Sequence, residues 1–86
     1  MAAYRVVFTP AAERALRKLP KEARRGINLT VAALAQNPRP GGVVKMANSD
    51  QWRVRWRTYR VVYEVHDKTL CIQIVRLGHR REVYDR

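Results

Sequence analysis

WRVRWRTYRVVYEV, residues 52–65, is the stretch whose reading decides the fold. Trp52, Val54 and Trp56 alternate with Arg53, Arg55 and Arg57, so an extended chain here has one apolar face and one cationic face. Thr58 gives a tight connection, after which Tyr59, Val61, Tyr63 and Val65 line one side while Arg60, Val62 and Glu64 line the other. A period of two on both sides of a turn predicts a hairpin half-buried against something apolar.

Working outward toward the C-terminus, Asp67-Lys68 reads as the next turn. Thr69–Leu77 follows as a strand nearly continuous in apolar residues, the pattern of a central strand. Gly78 is expected to break it, leaving HRREVYDR (79–86) as a polar tail. Toward the N-terminus, NPRPGGVVKMANSD (37–50) reads as one long loop. Before it, Ala23, Ile27, Val31 and Leu34 share a helical face opposite Lys21, Arg24, Arg25 and Asn28, and Asn37-Pro38 ends that helix. A shorter helix carries Ala12, Leu16 and Leu19, with Thr9-Pro10 as its cap and first residue and Pro20 as its interruption. Tyr4–Phe8 is a short strand. The predicted fold is therefore α+β: strand, helical hairpin, then a three-stranded antiparallel meander, forming one sheet with the helices packed on one face. It occupies 1–86 as a single domain. The other face of the sheet is left to Arg60 and part of the arginine comb.

Charge narrows the function. Eighteen Lys and Arg against 7 Asp and Glu give a formal net charge of +11 on a chain that is 47% hydrophobic. A folded domain with that imbalance points to a polyanionic partner: nucleic acid first, an acidic protein second, an anionic membrane surface third. Arginine predominates, the lysines being Lys18, Lys21, Lys45 and Lys68. Guanidinium makes forked contacts to phosphate oxygens. Cys71 is the lone cysteine, so an internal disulfide is excluded, and two His with one Cys are too few for a structural zinc site. The opening MAAYRVVFTPAAE lacks a signal-peptide profile and no apolar run reaches membrane-spanning length, so the expectation is a cytoplasmic protein with no membrane partner.

The residue inventory excludes several chemistries. Gly41-Gly42 is not followed by Lys-Ser/Thr and a helix, so no phosphate-cradling loop is present. Ser49 is the sole serine and lies far in sequence from His66 and His79, which argues against a hydrolase triad. Glu13, Glu22, Glu64 and Glu82 do not form an obvious acid–base pair. What remains is Arg53, Arg55, Arg60, His79, Arg80, Arg81 and Tyr84. RNA is cut without metal when its own 2′-hydroxyl attacks the neighbouring phosphorus. Guanidinium groups stabilise the added negative charge but stay protonated, so they are poor proton shuttles. A stacked Tyr holds a base splayed for in-line attack. His79 is the member of the set with a pKa suited to acid–base work.

WRVRWRTYRVVYEV (52–65) and VRLGHRREVYDR (75–86) resemble the two sequence hallmarks of the RelE/ParE toxin superfamily, RelE branch. YRVVFTPAAERALRKLP (4–20) and the NPRP turn (37–40) are similar as well, so the resemblance covers nearly the whole chain. It implies a type II toxin–antitoxin toxin: a ribosome-dependent, metal-independent endoribonuclease that cleaves mRNA in the A site and needs no cofactor. It assigns phosphate stabilisation to Arg60 and Arg80 and base stacking to Tyr84. Arg53 and Arg55 stand where the best-known member has lysines; the RNA contact carries over to them, but proton transfer does not, which makes His79 the natural substitute. Arg57, Arg81 and Lys45 complete the expected RNA-binding set. The implied partners are a cognate acidic antitoxin, the ribosome and mRNA, with operator DNA reached only through the antitoxin. The ParE branch, which poisons DNA gyrase and lacks the phosphate-handling tail, is the alternative. A silent RNA- or antitoxin-binding module is a further one.

Most assignments have a structural competitor, Arg80 being the hardest to explain structurally. Arg60 can pair with Glu64 two positions along its face, Tyr84 can fold back as a plug, and His79 can bond to the backbone. The comb Arg53, Arg55 and Arg57 can be a solvated strand face. Trp52, Trp56 and Tyr63 read as packing residues, and Cys71 as a small buried hydrophobe.

Overall fold

In the computed structural model, which describes residues 3–79, the chain runs β1 (Arg5–Phe8), α1 (Pro10–Arg17), α2 (Lys21–Gln36), β2 (Val44–Lys45), β3 (Gln51–Trp56), β4 (Tyr59–His66), a 3₁₀ turn (Asp67–Thr69) and β5 (Cys71–His79). One sheet holds the strands in the order β1-β5-β4-β3-β2. The meander β3-β4-β5 is antiparallel as the alternation predicts. β1 lies parallel to β5, because two helices carry the chain across the sheet before the meander begins.

Thr9 does three jobs at the β1–α1 junction. Its hydroxyl accepts from the Ala12 amide at 3.1 Å, capping α1, and donates to the Val75 carbonyl at 2.8 Å. Its own amide donates to Ile74 O at 2.9 Å. Val75 needs that partner because the β4–β5 ladder slips there: Val62 faces Arg76, whereas Tyr63 faces Ile74. Val75 is the extra residue of a β-bulge, and it changes which side chains of β5 point inward.

The core lies between the helices and one face of the sheet. Ala12, Ile27, Val31 and Leu34 from the helices meet Val61, Tyr63, Ile72, Ile74 and Leu77 from β4 and β5. Trp52, Val54, Trp56 and Tyr59 flank this cluster, so the alternation of residues 52–65 is realised as an inward face. Tyr63 is fully buried, and its hydroxyl donates to Pro38 O at 2.7 Å. Gly26 sits mid-helix in α2, where Ala would be the better helix former by about 1 kcal/mol. The reason for glycine is packing: a methyl group built there falls inside the Trp56 indole.

Three expectations need correction. The segment 37–50 is not all loop, since Val44 and Lys45 pair with Arg53 and Trp52 and add an edge strand. Gly78 does not break β5: it pairs with Arg60, and His79 pairs with Tyr59. A glycine is tolerated there because β4 continues to supply a hydrogen-bonded neighbour. Cys71 is half-buried at the start of β5 rather than a core residue. No helix of the described residues is long and apolar enough to cross a membrane.

Candidate nucleic-acid interface

The second face of the sheet carries the cations in register. Arg53 on β3 faces Val62 on β4, and Val62 faces Arg76 on β5. In the adjoining row, Arg55 faces Arg60, which faces Gly78. Cross-strand partners share a face, and their Cβ atoms lie about 5 Å apart. Four arginines therefore rise from two neighbouring rows, with no side chain at Gly78 beside Arg60. Arg53 and Arg60 are half-buried, Arg55 and Arg76 exposed. The field of the cluster is felt within it: burial, then the charge of Arg60, then that of Arg55, hold the Arg53 guanidinium below its ordinary pKa.

This face also has an apolar anchor. Val62 is fully buried by Met46, which the segment after β2 lays across it. The β2 crossing leaves a shallow groove of about 220 Å³ lined by Gly42, Val44, Arg53 and Arg55. Beyond the arginine rows, Glu64 is engaged by Gln51 Nε2 and by His66 Nε2, each at 3.2 Å. Its carboxylate is thus held at the His66 end of β4.

Other expected site residues lie elsewhere. Arg57 leaves the comb: it opens the two-residue turn between β3 and β4 with φ 55°, and its guanidinium lies 4.8 Å from the Trp56 ring centroid. Lys45 pairs with Trp52, which puts it on the opposite pleat from Arg53. His79 pairs with Tyr59, its ring edge-on to that tyrosine at 5.7 Å between centroids. Tyr59 belongs to the helix-side packing, so the sheet sends His79 and Arg60 to opposite faces. Arg80, Arg81 and Tyr84 lie outside the described residues.

Arg76 is the member that sequence reading missed. Thr69–Leu77 reads as a central strand nearly continuous in apolar residues, and only the bulge at Val75 turns Arg76 toward Arg53. The single charged residue in that strand is the signal that was available.

Chemically, four guanidinium groups on one face can hold phosphodiester oxygens and stabilise charge accumulating on them. They offer no proton acceptor. Among the described residues no cluster of three or more His, Cys, Asp or Glu is arranged to hold a metal ion.

Such a construction, helices on one face of a small sheet and arginine rows on the other, defines an α+β protein with one sheet face dense in arginine. The chain belongs to the family described as ParE toxin of type II toxin–antitoxin system, whose model matches residues 6–84, and through it to the RelE/ParE toxin superfamily. It is 31% identical over 85 residues to Toxin RelG of Mycobacterium tuberculosis, covering 96% of this chain and 98% of that one. A chain of the Mycobacterium tuberculosis toxin–antitoxin complex RelBE2 superposes with a TM-score of 0.79 at 30% identity, covering 93% of this chain and 94% of the other. The archaeal RelE–RelB complex of Pyrococcus horikoshii gives a TM-score of 0.80 at 30% identity over 94% and 99%.

Proposed function

We propose that this toxin is a ribosome-dependent endoribonuclease that cleaves mRNA in the A site by attack of the 2′-hydroxyl on the adjacent phosphate. The observation that carries this reading is the pair of arginine rows, Arg53–Val62–Arg76 and Arg55–Arg60–Gly78. A solvated strand face would spread its cations; here burial, and then the charges of Arg60 and Arg55, hold Arg53 below its ordinary pKa. In this reading Arg60 and Arg80 stabilise phosphate charge, Arg53 and Arg55 track the backbone, and Tyr84 stacks on a base. The geometry around His79 favours a positioning role, its ring held by Tyr59 at the start of the tail, over direct proton transfer. The partner is a cognate acidic antitoxin, as the RelE–RelB likeness suggests, and the setting is the cytoplasm.

The matching family's description names ParE, which keeps a second reading in play, inhibition of DNA gyrase in the manner of the ParE branch. One pair of assays separates the two. Primer-extension mapping of mRNA after induction is expected to reveal cuts within translated codons that disappear in Arg80→Ala. Gyrase supercoiling blocked at stoichiometric toxin, with mRNA intact, would establish the second reading instead. A chain that does neither would be a silent binding module.

A further inference from the structure

The arginine rows do not end at the sheet. β1 pairs with β5 only along Cys71–Ile74, so the outer edge of the rest of β5 is left to α1. Between them runs a groove of about 500 Å³, where Arg14, Lys18 and Arg76 stand around apolar Ala15, Leu19 and Leu77. None of its described lining residues is acidic. Arg14 and Lys18 are one helical turn apart, a spacing at which like charges repel. The nearby carboxylate, Glu13, is engaged by Arg17 at 3.7 Å. Arg14 and Lys18 stand in the last turn and at the C-cap of α1, where the helix dipole favours cations. Arg76 belongs to both surfaces, since it shares a row with Arg53 and also lines the groove.

We propose that the groove between α1 and β5 continues the RNA path. A single-stranded segment crossing the arginine face passes over Arg76 and sets its backbone phosphates against Arg14 and Lys18. Half-buried Leu19 and Ala15 offer an apolar surface to an unstacked base, and a base has an apolar face to lay on it. The occupant is single-stranded RNA rather than an acidic peptide because the groove is continuous, through Arg76, with the surface assigned to phosphate. This inference rests on the RNA reading above and deepens it by naming where the strand goes.

The probe is a labelled single-stranded RNA dodecamer, titrated against the whole toxin by fluorescence anisotropy across a salt series. The variants are Arg14→Gln/Lys18→Gln and, as an equal change of charge outside the groove, Arg25→Gln/Lys68→Gln. Each phosphate contact contributes about 0.7 to the slope of log affinity against log salt, so the groove pair should flatten it by about 1.4. The control pair should leave the slope near wild type. Equal slopes in wild type and groove variant, or equal losses in groove and control variants, would overturn the proposal. So would a groove variant that binds RNA normally but loses affinity for the acidic antitoxin, since the groove would then belong to that partner. Failure of the wild type to bind the dodecamer would overturn it too. The two readings come apart on programmed ribosomes: a toxin that cuts mRNA while its groove variant keeps the full slope refutes only the groove. A toxin that shows the slope change and cuts nothing refutes only the nuclease.

Discussion

The two faces of the sheet are built from alternate residues of the same strands, yet they answer to opposite physics. On the helix side, Val61, Tyr63, Ile72 and Ile74 are fully buried, and each contributes to the fold by leaving water. On the other side, burial and then the nearby charge of Arg60 hold Arg53 below its ordinary pKa. Arg60 and Val61 are adjacent in the chain and opposite in role. The difference separates stability from function: a change on the helix face should unfold the protein, and one on the arginine face should disable it while it stays folded.

Arg60→Gln breaks the comparison hardest. Removing one preorganised charge from a site that stabilises developing phosphate charge costs about 10²–10³-fold in rate. Single-turnover cleavage of mRNA on programmed ribosomes should fall by that factor. The variant should still unfold in one cooperative transition, since Arg60 lies on the face of the sheet away from the helix-side core. A folded variant that cuts at the wild-type rate would remove Arg60 from the site.

Gly26→Ala is the mirror experiment. Helix propensity alone favours Ala by about 1 kcal/mol, but its methyl group would meet the Trp56 indole. Overpacking of that kind costs about 1–3 kcal/mol, so urea unfolding should show net destabilisation with the RNA-binding salt slope unchanged. A stabilised variant would mean that Trp56 repacks freely and that the α2–β3 approach is loose.

Tyr63→Phe sharpens the comparison through pH. The buried phenol is pushed up to about 12 by desolvation, because the helix face accepts only its neutral form. Its contribution is intact below the unfolded value of about 10 and is lost as pH rises through the folded value. Near neutrality the variant should be weaker by about 1 kcal/mol, having lost the bond to Pro38 O. Above pH 11 the gap should close and reverse, because the unfolded wild type gains free energy by ionising its phenol while the folded protein holds it neutral. Parallel stability curves from pH 8 to 12 would refute this account.

How much of this was legible in the sequence follows the same division. The inward face was readable because hydrophobic alternation is a local signal, and Trp52 through Val65 packs as its period predicts. The thin edge strand at Val44–Lys45 was not, because two residues carry no period and only the open side of β3 makes them a strand. On the arginine face, Arg53, Arg55 and Arg60 were named from the pattern, and the register unites them. Arg57 was misplaced, because a turn with φ 55° ends the alternation just before it. The facing of Arg76 and of His79 was beyond reach, because it depends on the bulge at Val75. That bulge is stabilised from outside β5, by the Thr9 hydroxyl.

His79 is where the smallest effect carries information. As the proton carrier it would cost about 10²–10⁴-fold on removal. The β4–β5 register sets its ring against Tyr59, on the far side of the sheet from Arg60. A residue there can aim the tail that follows it, yet it cannot reach a phosphate held on the opposite face without leaving the ladder. His79→Ala is therefore expected to slow single-turnover cleavage by only a few-fold. The pH–rate profile should keep its shape, and His79→Phe, which preserves the edge-on ring contact, should restore the rate. A loss of about 10²-fold or more that His79→Phe does not repair, with an ionisation of the wild-type pH–rate profile missing from the variant's, would return the proton to His79. It would also mean that the end of β5 unpairs from Tyr59 when the toxin works.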